Sequence, residues 1–591
     1  VGWNGVNPIS HAKESGTFVT RTIWGSVNAS LIYSPFSWLT GEVNVAPKYT
    51  VASSANLTKA IQSYLPDETP SFVFPTKNSL TNSDTKTLHN NVRATLTAEK
   101  SIGDHNITIL AGASQEERHA KNFMAYRDSI DVNYPVLSTG SASNQSVSGG
   151  EDRFVLRSFF ARANYNYKQK YLFEFNIRHD GSSRFAKGNK WATFPSVSAG
   201  WRISEEKFMQ QLKNIDDLKL RVSWGKLGNQ NVGNSYYPFT TQMKFGITTM
   251  GGQVVNRASF EDMPNNLIRW ETTESIDIGL DMTLFNRLSI TADYYQKETR
   301  DILLSLPIPY TIGLNAPVQN AGVVENKGWE FGITYRDKIG DFQYNVNFNL
   351  SDVKNKITDL RGQDQTGFIV HREGHPISSI YGYVAEGYFQ SEEEIANSPT
   401  QMGNVKPGDI KYKNMNGDNK INNEDKVVIG SSIPRYTFGL NLGANYKGFD
   451  LSMFFQGVGK ADGYLDGPGI IPFASGGSVG GSVLESFKDY WTEDNRDAAY
   501  PRLAFNETNN SQISTFWLKD ASYLRLKNLQ IGYTIHITKK WGVNHLRLFA
   551  NGTNLFTIDN FWDGYNVEAP TGMVNFYPQV KVYSFGLELK F

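Results

Sequence analysis

Hydrophobic and polar residues alternate with a period of two over long stretches of this chain, the mark of strands with one apolar and one polar face. From Tyr436 the even positions read Tyr436, Phe438, Leu440, Leu442, Ala444 and Tyr446, and the odd positions Thr437, Gly439, Asn441, Gly443, Asn445 and Lys447. Lys447-Gly448 reads as a two-residue turn, after which Phe449, Leu451, Met453 and Phe455 resume the apolar face against Asp450, Ser452 and Gln456. The last strand has the same form: Tyr583, Phe585, Leu587, Leu589 and Phe591 alternate with Ser584, Gly586, Glu588 and Lys590. Soluble β-sandwiches also make such hairpins, so alternation alone establishes only a β-protein.

The rhythm of the connections goes further. Short ones are expected near 35–37, 103–104, 168–170, 206–217, 286–287, 338–341, 447–448 and 538–544. Long ones, rich in Gly, Asn, Ser and Pro, are expected at about 55–88, 121–152, 230–269, 305–327, 361–435, 461–522 and 558–579. One connection, near 186–190, is short where a long one is due. Tight turns at one end and extended loops at the other are the arrangement of an outer-membrane barrel. Structureless loops of this length count against a compact soluble domain. The expected fold is therefore all-β, a transmembrane antiparallel β-barrel over residues 1–591 with about 17 strands. Bacterial single-chain barrels have even strand numbers. With a periplasmic C-terminus, the first strand, about Thr17–Ser34, runs downward from the outside. The chain thus reads as the C-terminal part of a plugged barrel of about 22 strands, with the remaining strands and the plug upstream.

Composition removes alternatives. At roughly 150 residues per domain the length would suggest about four soluble domains, yet neither pattern nor loop chemistry changes along the chain. The 58 basic and 58 acidic side chains cancel, leaving no basic surplus for nucleic acid. Without cysteine there are no disulfides, thiolate metal sites or cysteine nucleophiles, which suits an oxidising compartment. No stretch reaches the ~18–20 apolar residues of a membrane-spanning helix, and Val1–Gly5 lacks the form of a signal peptide. A mean hydropathy of −0.41 is compatible with a barrel, whose strands hide their lipid face in the alternation.

Several blocks, in order, resemble the SusC-like TonB-dependent transporters. They are Arg178-His179-Asp180-Gly181-Ser182-Ser183-Arg184-Phe185 with Trp201-Arg202-Ile203, and Val222-Ser223-Trp224-Gly225-Lys226-Leu227-Gly228-Asn229-Gln230. Trp270-Glu271, Asp277-Ile278-Gly279-Leu280-Asp281, Asp293-Tyr294-Tyr295 and Asn326-Lys327-Gly328-Trp329-Glu330 follow. Tyr490-Trp491-Thr492, Tyr523-Leu524-Arg525-Leu526-Lys527-Asn528 and Asn554-Leu555-Phe556-Thr557 complete the set. The resemblance implies the outer membrane of a Gram-negative bacterium and active import of a nutrient oligomer, oligosaccharide first and peptide second. It also implies an N-terminal plug, a box that engages TonB, a SusD-like surface lipoprotein as lid, and a dimer of transporter–lid units. A passive porin is the rival within transport, and a surface glycan-degrading enzyme the rival outside it.

Two groups of residues stand out as sites. Trp491, Trp517, Phe561, Trp562, Tyr565, Phe576 and Tyr577 lie in or beside long loops. Flat rings there can stack on sugars or hold peptide side chains; membrane-interface girdles and lid contacts account for aromatics equally well. The segment 414–425 places Asn414, Asn416, Asp418, Asn422 and Asp425 at positions 1, 3, 5, 9 and 12 of an EF-hand-like loop, with the Lys420 carbonyl at 7. Asn414 stands where Asp is usual and Asn419 where Gly is usual, which predicts a weak structural calcium site; a metal-free Asn/Gly turn is the alternative. No cofactor is expected to be required. The nine histidines make no His-Glu-x-x-His run, and Gly476–Gly481 lacks the dinucleotide-binding spacing and reads as a flexible loop. Paired carboxylates such as Glu116-Glu117 and Asp216-Asp217 are expected in loops or turns as solvated charge.

Overall fold

A computed structural model describes residues 8–590 apart from 66, 234–235, 242, 365–366, 468, 474–483, 506, 537–541, 543–544 and 573–575. Phe591, Gly476–Gly481 and most of the 538–544 turn lie outside the described residues. One antiparallel sheet of nineteen strands dominates. Two passes are each broken once, at Val27-Asn28 and at Ala46-Pro47, so the nineteen strands make seventeen passes. Pro47 has no N–H to give to the ladder, which explains the second break. Each pass pairs with its neighbours in sequence, from the Gly16–Ser26 and Ala29–Phe36 strands to Val582–Lys590. Among the described residues these first and last passes have one partner each, so the sheet has two free edges.

The alternation sorts the two faces of this sheet. Cross-strand pairs Leu440–Phe455 and Leu442–Met453 put apolar side chains on one face, while Asn441 and Ser452 fall on the other. Lys447 and Gly448 both take positive φ, 45° and 90°, the backbone that a tight right-twisting hairpin demands. Gly457 lets the Phe438 ring lie flat on the neighbouring strand: a Cβ there would sit 2.0 Å from Phe438.

The loop bounds depart from expectation because several strands run far beyond the bilayer. Ser79–Ile102 and His105–Asp128 are each 24 residues long, against the ~9–11 that cross a bilayer. The loops at 55–88, 121–152 and 305–327 accordingly shrink to 59–78, 129–144 and 306–317. In these extensions neither face meets lipid, so both can be polar, as in Thr81-Asn82-Ser83-Asp84-Thr85-Lys86, and no alternation betrays a strand. Glu116 and Glu117 therefore lie inside a strand, not in a loop. Glu116 contacts His89 at 2.9 Å and Glu117 pairs with Arg153 at 2.6 Å.

The long connections 361–435 and 461–522 are not structureless either. They fold together into a unit with its own small sheets: Ile369–Val370 with Ser379–Gly382 and Val427–Ser431, Ala385–Tyr388 with Ile410–Tyr412, and Asp462–Tyr464 with Leu518–Asp520. Tyr383 N–H donates to the Ile513 carbonyl at 2.8 Å and Thr515 N–H to the Tyr383 carbonyl at 2.9 Å, stitching one connection to the other. Tyr383, Tyr412, Tyr464, Phe487 and Trp517 form its core, joined from the third connection by Phe561 and Val567.

Candidate functional site

The polar face of the wall encloses a cavity of about 1170 Å³ lined by Glu42, Lys48, His89, Arg93, Arg162 and Arg178 among others. Its charges are tied across strands rather than left loose. In the cavity Arg93 pairs with Glu42 at 3.8 Å and His89 contacts Glu116 at 2.9 Å; elsewhere on the wall Arg221 reaches Asp281 at 2.8 Å and Asp293 at 2.9 Å, and Arg547 reaches Asp450 at 2.6 Å. Both signs are present, so this surface can hydrogen-bond water or a polar chain without selecting on net charge.

The loop aromatics are gathered, but chiefly inward. Trp517 is fully buried, Trp491 and Phe561 nearly so, and Trp562 and Tyr565 pack half-buried against the same core. Trp517 Nε1 donates to the Asn510 carbonyl at 2.9 Å, and its ring lies 6.3 Å from Trp562 and 6.4 Å from Tyr500. Phe576 and Tyr577 stay exposed, outside this cluster. Trp517 forms the floor of a cleft of about 280 Å³ with Pro472, Pro501, Arg502 and Glu507. Its primary role is thus to hold the loops together. Lys519 sits 4.5 Å above the Trp562 ring, and burial pushes its ammonium below the ordinary lysine value. Burial raises the Tyr388, Tyr412 and Tyr464 phenols.

Polar residues missed in the sequence stitch these connections. Asp409, fully buried, accepts from Arg502 at 2.7 Å and from Asn510 Nδ2 at 2.8 Å. Asn510 Oδ1 accepts from Ile410 N–H at 2.9 Å, and Asn509 Nδ2 donates to the Ile410 carbonyl at 2.7 Å. At the wall, Tyr523 donates to Glu568 at 2.8 Å, and Arg525, itself buried, holds Glu568 and Asn566. The Leu524-Arg525-Leu526 alternation could have flagged Arg525; nothing local flags Asp409.

The 414–425 segment curls as its spacing suggests. Asn414 Oδ1 accepts from Gly417 N–H at 2.6 Å, Asn416 Oδ1 from Asp418 N–H at 3.0 Å, Asp418 Oδ1 from Lys420 N–H at 3.1 Å, and Asn422 Oδ1 from Glu424 N–H at 2.7 Å. Asn419 takes the left-handed φ of 63°. Asp425 is buried and its two oxygens accept from Met415 and Asn422 N–H at 2.7 and 2.9 Å. Among the described residues no three His, Cys, Asp or Glu side chains come together as a metal site, so cation binding here would rest on the Asp418 carboxylate together with amide and carbonyl oxygens.

Residues 11–555 match the family model described as TonB dependent receptor-like, beta-barrel. TonB-dependent receptor P3 of Formosa agariphila is 33% identical over 529 residues, covering 84% of this chain and 52% of that protein. TonB-dependent receptor SusC of Bacteroides thetaiotaomicron is 29% identical over 513 residues, covering 83% of this chain and 49% of its own length. The chain thus spans about half the length of the relatives it matches. A solved structure of the RagAB peptide importer in the open-open state has the same fold, with a TM-score of 0.84 at 24% identity, over 98% of this chain and 62% of that one. The chain belongs to the TonB-dependent receptor β-barrel family as a SusC-like member, an outer-membrane protein of a Gram-negative bacterium.

Proposed function

We propose that the full-length protein actively imports a nutrient oligomer across the outer membrane, with oligosaccharide as the cargo. The observation that carries this is a wall with a polar interior and an apolar exterior over the same residues, 11–555, that match the receptor barrel. A plug and a TonB-engaging segment belong to the rest of the protein, and further strands of the same barrel would occupy the two free edges, whose unpaired N–H and C=O groups are otherwise a liability in lipid. A SusD-like lipoprotein covers the loop unit, and two transporter–lid units pair. Short peptide is the second reading, favoured by the RagAB structures, which are named as a peptide transporter and importer. The test is uptake of defined oligosaccharides and peptides by cells lacking the protein. Loss of one cargo, restored by the wild-type protein only when TonB is intact, is expected; uptake unchanged by the deletion overturns the proposal. A large open conductance of the full-length protein in a planar bilayer would replace the importer with a passive porin.

The 414–425 loop we assign to weak calcium binding, in the ~10⁻⁴–10⁻³ M range of extracellular modules. Millimolar calcium should raise the melting temperature of the loop unit by mass action, and Asp418→Ala should abolish that rise. No shift in the wild type discards the assignment.

A further inference from the structure

The loop end of the inner wall holds two arginines that form no ion pair among the described residues. Arg118 lies on the His105–Asp128 strand and faces Phe154 of the neighbouring strand in register; one step nearer the turns, Glu116 faces Leu156, and both line the inner cavity. Arg118 and Phe154 are thus the next inward-facing pair. From His105 to Arg118 is thirteen positions, roughly 40 Å along the strand at ~3.3 Å per residue, past the ~25 Å apolar band of the membrane.

Arg184 arrives at the same point from the connection after the Tyr171–Ser182 strand. That connection is pinned: Ser183 N–H donates to the Val155 carbonyl at 2.9 Å, Ser183 Oγ accepts from Val155 N–H at 2.9 Å, and Phe185 is fully buried against Trp270 and Phe194. The Arg184 guanidinium lies against two rings that stack on each other with centroids 5.8 Å apart, 5.0 Å from the Phe154 centroid and 4.5 Å from that of Tyr236. The same Tyr236 accepts a hydrogen bond from Arg118 at 2.9 Å, so both cations meet on one tyrosine.

Arg184 is only 8% exposed, and its Nε has no hydrogen-bond partner. Among the described residues neither arginine forms an ion pair. The acids nearest in sequence are either engaged, Glu116 with His89 and Glu117 with Arg153, or, like Asp152, in no ion pair with either arginine. Burying a cation without a counter-charge is costly, and aromatic faces offset only part of that cost. Burial and the neighbouring Arg118 both press the Arg184 pKa down. A buried guanidinium, Arg184, and a half-buried one, Arg118, meeting on one tyrosine form a receptor for a planar anion.

We propose that Arg118, Arg184 and Tyr236 form a subsite for a carboxylate carried by the cargo, a uronic acid on a glycan or an acidic side chain or C-terminus on a peptide. The proposal rests on the importer reading for what brings the ligand, but binding can be tested apart from transport. Purified full-length protein is titrated with trigalacturonate and triglutamate, and with galactotriose and triglutamine as neutral counterparts. At least one carboxylated probe should bind tenfold or more tightly than its neutral counterpart, and which one tells glycan from peptide. Charge-assisted hydrogen bonds to buried guanidinium supply a factor of about ten or more. Arg118→Gln and Arg184→Gln should each erase most of that advantage and leave the neutral probes unchanged, and Arg184→Lys should restore it in part. Equal affinity for charged and neutral probes in the wild type overturns the proposal, as does an advantage that survives both Gln variants. If Arg184→Gln instead lowers thermal stability while the wild type shows no preference for charge, an acid elsewhere in the full-length protein is the partner and the subsite is overturned. Carboxylate binding without any uptake would leave the subsite standing and remove the importer.

Discussion

The wall and the loop unit partition the same kinds of side chain in opposite ways. On the wall, Phe585 is 85% exposed and Leu31 73% exposed, while in the loop unit Trp517 and Leu465 show no surface at all. A soluble protein with the wall's surface would aggregate; in lipid that surface is the favourable one. The loop unit meets water and has to build an ordinary core. One chain therefore satisfies two solvents, and a given substitution should carry different consequences in each region.

The largest effect is expected where the loop core is deepest. Trp517→Ala removes a fully buried ring and its hydrogen bond to the Asn510 carbonyl, at a cost of about 3–5 kcal/mol. The loop unit should become sensitive to protease while the barrel keeps its heat-modifiable mobility on gels. Loss of both together would mean that wall and loops are one cooperative unit.

The reciprocal substitution belongs on the wall. Ile278 is 49% exposed on the outward face and lies six positions from the end of its strand at Leu284, roughly 15 Å up the barrel axis after strand tilt, near the bilayer midplane. Ile278→Arg should cost about 2–4 kcal/mol when the protein folds into lipid. Its neighbour Asp277 lines the polar cavity next to Ser223 and Arg221, and Asp277→Asn should cost less than about 1 kcal/mol. Equal costs at the two positions would remove the assignment of faces.

The same contrast explains what could be read from the chain. Period-two alternation arises where one face meets lipid and the other water, so the Tyr436–Gly459 hairpin and its Lys447-Gly448 turn were plain from the residues. Where both faces meet water the alternation lapses, and strands such as Ser79–Ile102 run well beyond their readable part. The loop core was illegible for another reason: its pieces are scattered. Asn510 accepts from Ile410 across 100 residues, and Asp409 and Arg502 carry no local pattern that ties them together. The aromatic loop residues were visible as a class, but only the fold separates Trp517, a core residue, from Tyr577, which stays in water. Arg184 sat within a conspicuous block, yet its isolation from acids depends on a strand and a loop elsewhere in the chain.

The smallest expected effect concerns acidity in the loop unit alone. Burial lowers the Lys519 pKa beneath its ordinary value of about 10.4, so over the interval between the folded and unfolded values the unfolded chain binds the extra proton. Stability of the unit should then rise with pH across that interval. The buried phenols act with the opposite sign. Tyr388, Tyr412 and Tyr464 have raised pKa values, so their contribution is complete below the unfolded tyrosine value of about 10 and is lost as pH climbs past it. The melting temperature of the loop unit should therefore pass through a maximum a little below pH ~10. Lys519→Met should flatten the rising side and leave the fall unchanged, because the phenols are untouched. A rising side that persists in the variant would assign the effect to another group, whereas the wall, whose stability is set against lipid, should show neither limb.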